Sequence, residues 1–161
     1  MTDMCIGNFT EFDSPETSRD ANYEEAANFA IQLLELSIYF TNPVVVFDID
    51  NTLIYNEGGA ILHMRRLYRH IMGLNIPIIL ITARPPRGYK ETVRQLKHHG
   101  ITGYVQLLMC DWKQVEDIPL MKCAHRENLC EDYTIVLNIG DQTSDFVGGY
   151  YVYGIKLPTY Y

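Results

Sequence analysis

The segment Val44-Val45-Val46-Phe47-Asp48-Ile49-Asp50-Asn51-Thr52 is the most informative part of this sequence. Its four apolar residues in succession predict a buried strand, and two carboxylates follow directly at the carboxyl end of that strand. Like charges at such short range raise each other's pKa and resist burial, so a divalent cation with oxygen ligands is the simplest way to stabilise them. One acid then remains available as a nucleophile and the other as a proton carrier. The alternative is a chance Asp-x-Asp pair that begins a turn or caps a helix.

Strands and helices alternate along the rest of the chain. Continuous apolar segments predict strands at 44–48, 77–82, 104–109, 134–139 and 151–157. Apolar residues at helical spacing predict helices at 23–40, 60–73, 88–99 and 119–131, and a short helix is expected to begin at Ser14-Pro15-Glu16-Thr17.

This alternation is typical of an α/β fold with three layers, in which helices cover both faces of a Rossmann-like parallel sheet of about five strands. We expect a single domain over 1–161, made of an N-terminal helical segment, 1–43, and a catalytic core, 44–161. Ligands of such folds bind at the carboxyl ends of the strands, where the strand order reverses. Asp48, Thr82 and Asp141 all lie at or just after predicted strand ends, so the sequence predicts that they share one site.

The residues at these strand ends, with one lysine, resemble the four motifs of the haloacid dehalogenase (HAD) superfamily of phosphotransferases. The four matching segments are Phe47-Asp48-Ile49-Asp50-Asn51-Thr52-Leu53, Ile81-Thr82-Ala83-Arg84, Lys122, and Ile139-Gly140-Asp141-Gln142-Thr143-Ser144-Asp145. The chain is more narrowly similar to the HAD acid phosphatases, the group of plant vegetative storage proteins and bacterial class B-like acid phosphatases. The segments that carry this narrower likeness are Gly140 to Phe146, Lys122-x-x-x-Arg126, Lys156-Leu157-Pro158 and Tyr160-Tyr161. Asn51 stands where relatives often carry Gly or Glu, a difference that we expect the fold to tolerate.

The resemblance implies a Mg²⁺-dependent phosphomonoester hydrolase that works through an aspartyl-phosphate intermediate. Asp48 would be the nucleophile, Asp50 would be the general acid and then the general base, and Lys122 would neutralise charge on Asp48 and on the phosphoryl group. Thr82 and the backbone near Ala83 would also bind the phosphate.

The resemblance also implies the cofactor site and candidates for substrate recognition. The residues implied to hold Mg²⁺ are Asp48, Asp50 through its carbonyl, Asp141 and Asp145, and the candidates for substrate recognition are Arg84, Arg87 and Arg126.

In this superfamily, cap domains are inserted after the first motif or between the second and third motifs. Only 31 residues separate Asp50 from Thr82, and 39 separate Thr82 from Lys122. Each interval is used by a predicted helix and strand, so the sequence predicts a capless protein with an open site. The short turn Tyr55 to Gly59 is the one segment expected to act as a flap.

Charge is unevenly distributed along the chain. The net charge is −7, and residues 1–28 carry seven acids against one base, a balance of −6. Residues 63–99 carry eight Lys or Arg against one Glu, so an anionic partner is plausible there, although two basic solvent-exposed helix faces explain the pattern equally well.

Several substrate classes remain open at this point. Small phosphomonoesters such as nucleotides are favoured slightly, and the alternatives are a phosphoprotein or a nucleic-acid 3′-phosphate. A third alternative is a storage or binding protein with little turnover, against which the intact Asp48 and Asp50 pair argues. Because the basic segment belongs to an acidic chain, nucleic acid is not the favoured partner. Homo-oligomerisation is left open.

The sequence also predicts where the protein resides. Its four cysteines lack Cys-x-x-Cys spacing, and free thiols in a reducing compartment are expected. The first residues lack the basic and apolar regions of a signal peptide, and no apolar run approaches the length of a membrane span. We expect a cytoplasmic protein that has no membrane partner.

Overall fold

One parallel sheet organises the computed structural model, which describes residues 7–111 and 117–159. The strands are Phe9–Glu11 (β1), Pro43–Phe47 (β2), Ile78–Thr82 (β3), Gln106–Met109 (β4), Thr134–Gly140 (β5) and Tyr153–Lys156 (β6). Their order is β1-β6-β5-β2-β3-β4, and every neighbouring pair is parallel. All five predicted strands are present, so the expected α/β class is confirmed.

The sixth strand, β1, was not predicted. It is three residues long and pairs with β6 at the edge of the sheet, with Phe9 opposite Gly154 and Glu11 opposite Lys156. Three residues are too few to show an alternating pattern, and the strand lies in the acidic segment that was expected to be helical. The segment 1–43, expected to be helical, thus also contributes one strand to the sheet.

Four α-helices lie in the described part of the chain. They are Arg19–Leu34 (α1), Leu62–Gly73 (α2), Tyr89–His98 (α3) and Ile118–Leu129 (α4). Single-turn or short 3₁₀ helices occupy Glu35–Tyr39, Pro86–Gly88 and Thr143–Asp145. The predicted helix 23–40 is thus an α-helix that continues as a 3₁₀ helix.

The start of α1 differs from its prediction. Ser18 caps the helix by accepting a hydrogen bond from the N–H of Ala21, so the helix begins at Arg19, four residues before its predicted start at 23. The side chain of Asn22 is buried and bonds the backbone N–H and carbonyl of Ser14 instead. The expected short helix at Ser14 is a turn, closed by the N–H of Thr17 donating to the Ser14 carbonyl.

Alternating strand residues face opposite layers of helices. Val45, Phe47, Ile78 and Leu80 join the core cluster that contains the apolar residues of α1 and α2. The intervening residues, Val44, Val46, Ile79 and Ile81, pack with Leu129 of α4 on the other face. Both faces of the central strands are covered, which explains why these strands read as uninterrupted apolar runs.

The strand order reverses beside β2. The chain runs from β2 outward through β3 to β4, then returns through α4 to β5, which lies on the other side of β2. The carboxyl ends of β2 and β5 therefore flank the switch point at which ligands of such sheets bind. In the described residues, the connections from β2 to β3 and from β3 to β4 contain helices and turns but no cap domain. None of the helices described has the length and apolar character of a membrane-spanning segment.

Candidate active site

A tight turn after β2 places the two aspartates. Three successive N–H groups, those of residues 52–54, donate to the carbonyl of Ile49 at 2.8–3.2 Å. Asn51 has φ 55, a left-handed conformation that Asn adopts more readily than most residues, which gives this position a structural role. The turn leaves Asp48 buried, whereas the side chain of Asp50 is 41% exposed.

Neighbouring elements fix this turn. The N–H of Asp48 donates to the carbonyl of Ile139 on β5 at 2.9 Å, so Asp48 still belongs to the sheet. The hydroxyl of Tyr23 on α1 donates to the Asn51 carbonyl at 3.0 Å, and the N–H of Asn56 donates to the Asn51 side chain at 2.9 Å. The backbone that carries the carboxylates is therefore anchored on both sides.

Lys122 of α4 lies against the buried carboxylates. Its ammonium is 3.0 Å from Oδ1 of Asp48 and also donates to Oδ1 of Asp145, and its side chain is only 5% exposed. Burial lowers the pKa of Lys122, but the carboxylates of Asp145 and Asp48 raise it more, so the amine stays charged. The structure thus brings Lys122 to Asp48, from a position 74 residues later in the chain.

Three buried carboxylates share the site with this lysine. Oxygens of Asp48, Asp141 and Asp145 all lie within 4.8 Å of one another. Burial, and then the charge of Asp145, raise the pKa of Asp48 well above its usual value, although Lys122 opposes this shift. Burial likewise raises the pKa of Asp141. One ammonium does not balance three carboxylates, so the site favours an additional cation.

Asp145 is held in place through both of its carboxylate oxygens. Oδ1 accepts from Lys122, and Oδ2 accepts from the N–H of Gln142 at 3.0 Å, as part of the cap of the 3₁₀ helix. Its backbone carbonyl accepts from the side chains of Asn138 and Arg126. Asp145 therefore orients Lys122 and the loop after β5.

The end of β3 supplies the second motif. Thr82 is fully buried, and its hydroxyl accepts a hydrogen bond from the N–H of Arg84 at 3.1 Å. Ala83 lines a cavity of about 170 Å³ that is also lined by Asp48, Lys122 and Asp141. The turn expected to act as a flap lies at the same cavity, through Asn56.

Arg84 is bound to Asp50 through two parallel hydrogen bonds. Its Nε and Nη2 donate to the two oxygens of Asp50 at 2.9 and 2.6 Å. Its Nη1 donates to Gln95 at 2.8 Å and to Thr92 at 3.2 Å, both on α3. Arg84 was expected to recognise substrate, whereas in this structure its guanidinium holds Asp50.

A larger cavity lies elsewhere. A groove of about 600 Å³ lies between the end of α1, the 3₁₀ helix that follows it and the end of α2. Its lining is mostly apolar, and it includes Glu35 and His70 but no cluster of carboxylates. The candidate active site is therefore assigned by its chemical groups rather than by volume.

Comparison with known proteins agrees with this arrangement. Residues 56–161 match the family described as HAD superfamily, subfamily IIIB (acid phosphatase). This chain belongs to that subfamily. The residues that match HAD subfamily IIIB begin after Asp48 and Asp50. The assignment of these two aspartates to the active site therefore rests on the geometry given above. No curated protein matches the chain in sequence.

Two solved structures of a class C acid phosphatase from Bacillus anthracis share the fold of this HAD subfamily IIIB chain. The one with tungstate bound has a TM-score of 0.70 and 20% sequence identity, and the match covers 80% of this chain and 65% of that one. The other has a TM-score of 0.63 and 18% identity, and the match covers 81% of this chain and 66% of that one. This chain thus spans just under two thirds of the length of these proteins.

The donor atoms of this HAD subfamily IIIB site fit Mg²⁺. Hard divalent cations take carboxylate oxygens, and Asp48 and Asp141 offer such oxygens beside each other. Because Asp48 and Asp141 line the cavity and Asp145 does not, Asp48 and Asp141 are the carboxylates best placed to hold the ion. The roles proposed for the Asp50 carbonyl and for Asp145 as metal ligands stay predictions.

Two of the arginines predicted to recognise substrate lie away from the cavity. Arg126 is 1% exposed, and its guanidinium donates to the carbonyls of Asp145, Val147 and Gly149. A buried guanidinium with these three acceptors cannot reach a substrate, so the expectation for Arg126 is wrong and its role is to hold the loop after β5. Arg87 is exposed on the 3₁₀ turn Pro86–Gly88, and its role stays a prediction.

Sequence reasoning missed several residues of the site. The additional residues that line the cavity are Asn51, Asn56, Ile118, Gln142 and Ser144. Gln142 and Ser144 belong to the quoted fourth motif, but Ile118 is simply the first residue of α4 and carries no signal in the sequence. Tyr160 and Tyr161, which contributed to the resemblance, lie outside the described residues.

Proposed function

We propose that this protein is a Mg²⁺-dependent phosphomonoester hydrolase that forms an aspartyl-phosphate on Asp48. The observation that carries the proposal is the buried Asp48 carboxylate, 3.0 Å from the Lys122 ammonium and beside Asp141, at the switch point of the sheet. Membership of HAD subfamily IIIB supports the same activity.

In the first step, a carboxylate oxygen of Asp48 attacks phosphorus. The bond from phosphorus to the leaving oxygen breaks, and Asp50 gives its proton to that oxygen. Lys122 offsets the negative charge of the nucleophile and the transferring group. Both oxygens of Asp50 accept hydrogen bonds from Arg84, so one of these hydrogen bonds must open when Asp50 carries the proton.

In the second step, water attacks the phosphorus of the acyl phosphate. Asp50 takes the proton of the attacking water, the bond from phosphorus to Asp48 breaks, and inorganic phosphate leaves. The partial exposure of the Asp50 side chain supports this role because the carboxylate is accessible to water. Asp48 and Asp141 would hold Mg²⁺, which would supply positive charge to offset the charge of the phosphoryl group.

Small phosphomonoesters such as nucleotides are the proposed substrates. The cavity of about 170 Å³ accommodates a phosphoryl group with little of its leaving group, and the described residues contain no cap to enclose the remainder. Exposed Arg87 and Lys90 follow the second motif closely and support contact with a further anionic group.

A panel of phosphomonoesters tests the activity and the substrate class together. It should include 4-nitrophenyl phosphate, nucleotides, phosphopeptides and 3′-phosphorylated oligonucleotides, each with Mg²⁺ and with EDTA. We expect hydrolysis of the small esters with Mg²⁺ only. Preference for phosphopeptides or for oligonucleotides with strong salt dependence would favour a macromolecular substrate, and no hydrolysis of any ester would favour a storage or binding protein.

Asp48→Asn tests the nucleophile. We expect hydrolysis of 4-nitrophenyl phosphate to fall by roughly 1,000-fold or more, because an amide cannot form the acyl phosphate. Asp132→Asn, the same change at an exposed position, is the matched control and should leave activity unchanged. Borohydride reduction of the wild-type enzyme during turnover should place the modification on residue 48, and modification of another residue would refute the assignment.

A further inference from the structure

A buried lysine outside the catalytic cavity connects the edge of the sheet to the candidate metal site. Lys156 ends β6, and its side chain is 7% exposed. Its ammonium donates to Oε1 of Glu11 at 3.2 Å, to the hydroxyl of Thr159 at 3.0 Å and to the carbonyl of Leu157 at 3.4 Å. None of the catalytic steps above uses this charged group, so its burial needs another explanation.

Thr159 extends this arrangement to Asp141. The Thr159 hydroxyl donates to the backbone carbonyl of Asp141 at 2.6 Å, while its oxygen accepts from Lys156. A hydroxyl that accepts from a cation becomes a stronger donor, so the charge of Lys156 strengthens the bond to Asp141. The N–H of Leu157 also donates to the Gly140 carbonyl at 2.8 Å, so the segment after β6 is fastened to the end of β5.

The position of Asp141 needs such support because its neighbours repel it. The carboxylate lies within 4.8 Å of those of Asp48 and Asp145, and repulsion between like charges favours their separation. Asp141 follows the last residue of β5 and so lies just beyond the strand. The hydrogen bond from the Thr159 hydroxyl to the Asp141 carbonyl restrains the backbone of Asp141, and this backbone sets the direction of the Asp141 side chain.

We infer that Lys156 and Thr159, with Glu11 as the counter-ion of Lys156, position Asp141 as a metal ligand. This inference rests on the proposed function, since it assumes that Asp141 holds the cation. The inference gives β1 a role in the site, because this strand carries Glu11, whose carboxylate offsets the charge of the Lys156 ammonium. β1 lies before the residues that match the family. Lys156 and Thr159 are positioning residues, since they act through Asp141 and touch no reacting atom.

The test measures metal affinity without turnover. Mn²⁺ binding to the full chain, followed by the electron paramagnetic resonance signal of free Mn²⁺, should be weakened about tenfold or more by Thr159→Val, which keeps the shape and removes the hydroxyl. Thr159→Ser keeps the hydroxyl and should remain within about threefold of the wild type. Lys156→Met should also weaken Mn²⁺ binding. Thermal unfolding in EDTA checks that each variant is folded.

The outcomes separate this inference from the proposed function. Equal Mn²⁺ affinity of the wild type and Thr159→Val would overturn the inference, as would an equal loss in Thr159→Ser and Thr159→Val. Asp141→Asn should abolish binding in the same assay. If the wild type itself fails to bind Mn²⁺ or Mg²⁺, the proposed metal-dependent function fails first, and this inference falls with it.

Discussion

The two aspartates at the end of β2 have the same chemistry and different surroundings. Asp48 is buried against the Lys122 ammonium, whereas the side chain of Asp50 is 41% exposed and is bound by Arg84. A buried carboxylate is held in one position for attack, and an exposed one can exchange protons with water and a leaving group. Their environments therefore support the division between a nucleophile and a proton carrier.

Gln95 is predicted to affect proton transfer although it lies on α3. It accepts a hydrogen bond from Arg84 at 2.8 Å, and Arg84 in turn fixes the plane of the Asp50 carboxylate. Gln95→Leu should lower kcat/KM for an alkyl phosphate about tenfold and for 4-nitrophenyl phosphate much less, because a good leaving group departs without a proton.

Steady-state kinetics with both esters check this prediction. Gln32→Leu, the same change at an exposed position of α1, is the control and should alter neither value. An equal loss with both esters would show that Gln95 acts on the fold rather than on Asp50.

The raised pKa of Asp48 predicts how stability depends on pH. Because burial raises this pKa above its unfolded value, the native protein binds more protons than the unfolded chain between the two values. The ionised group therefore destabilises the metal-free protein increasingly as pH rises through that window. In EDTA at pH 7, Asp48→Asn should unfold at a higher temperature than the wild type, and the difference should shrink as the pH is lowered towards 4. A less stable variant at pH 7 would contradict the prediction.

At the scale of elements, one face of α4 performs two tasks. Lys122 and Arg126 are four residues apart and therefore project from the same face of the helix. Lys122 reaches the carboxylates, and Arg126 reaches three carbonyls of the loop after β5. That loop needs a fixed partner because Gly148 and Gly149 have positive φ and Tyr150 also adopts φ 67. Packing of α4 on the sheet thus aligns the lysine and the metal-binding loop together.

Arg126→Met is expected to destabilise the protein by about 3–5 kcal/mol, since it leaves the half-buried carbonyls of Val147 and Gly149 without this donor and the Asp145 carbonyl with Asn138 alone. Equilibrium unfolding in urea measures the change. Arg94→Met is the control, because its pair with Glu91 on α3 is exposed to solvent and contributes little to stability. Similar losses for the two variants would contradict the structural role of Arg126.

At the scale of the molecule, the site gathers residues from both halves of the sheet. β2 and its turn supply Asp48 and Asp50, and the segment after β5 supplies Asp141 and Asp145. A cation held between these strands binds only the folded chain. Cation binding should therefore stabilise the folded state of the whole chain by mass action.

Mg²⁺ is accordingly expected to raise the thermal unfolding temperature. A Mg²⁺ concentration one hundred times its Kd should stabilise the native state by about 2.7 kcal/mol. Differential scanning calorimetry at several Mg²⁺ concentrations checks this, and Asp141→Asn should abolish the shift. An equal shift in that variant would place the cation elsewhere, for example at the second cluster of candidate ligands, Asp20, Glu24 and His63.

Local patterns in the sequence determined the elements and the motifs. The apolar runs before Asp48, Thr82 and Asp141 predicted β2, β3 and β5, because a strand covered on both faces must be apolar throughout. Helix periodicity likewise predicted α2, α3 and α4 to within one or two residues. The short edge strand β1 was missed because three residues carry no periodic signal.

The contacts of each charged side chain depend on how the elements pack. Arg84 and Arg126 had the same expected role, but packing placed Arg84 against Asp50 and buried Arg126 among loop carbonyls. Glu11 and Lys156 are 145 residues apart, and only the pairing of β1 with β6 makes them partners. Residue type and spacing fix the chemistry that a strand end can offer, whereas contacts between distant residues depend on strand order and helix packing, which no local pattern encodes.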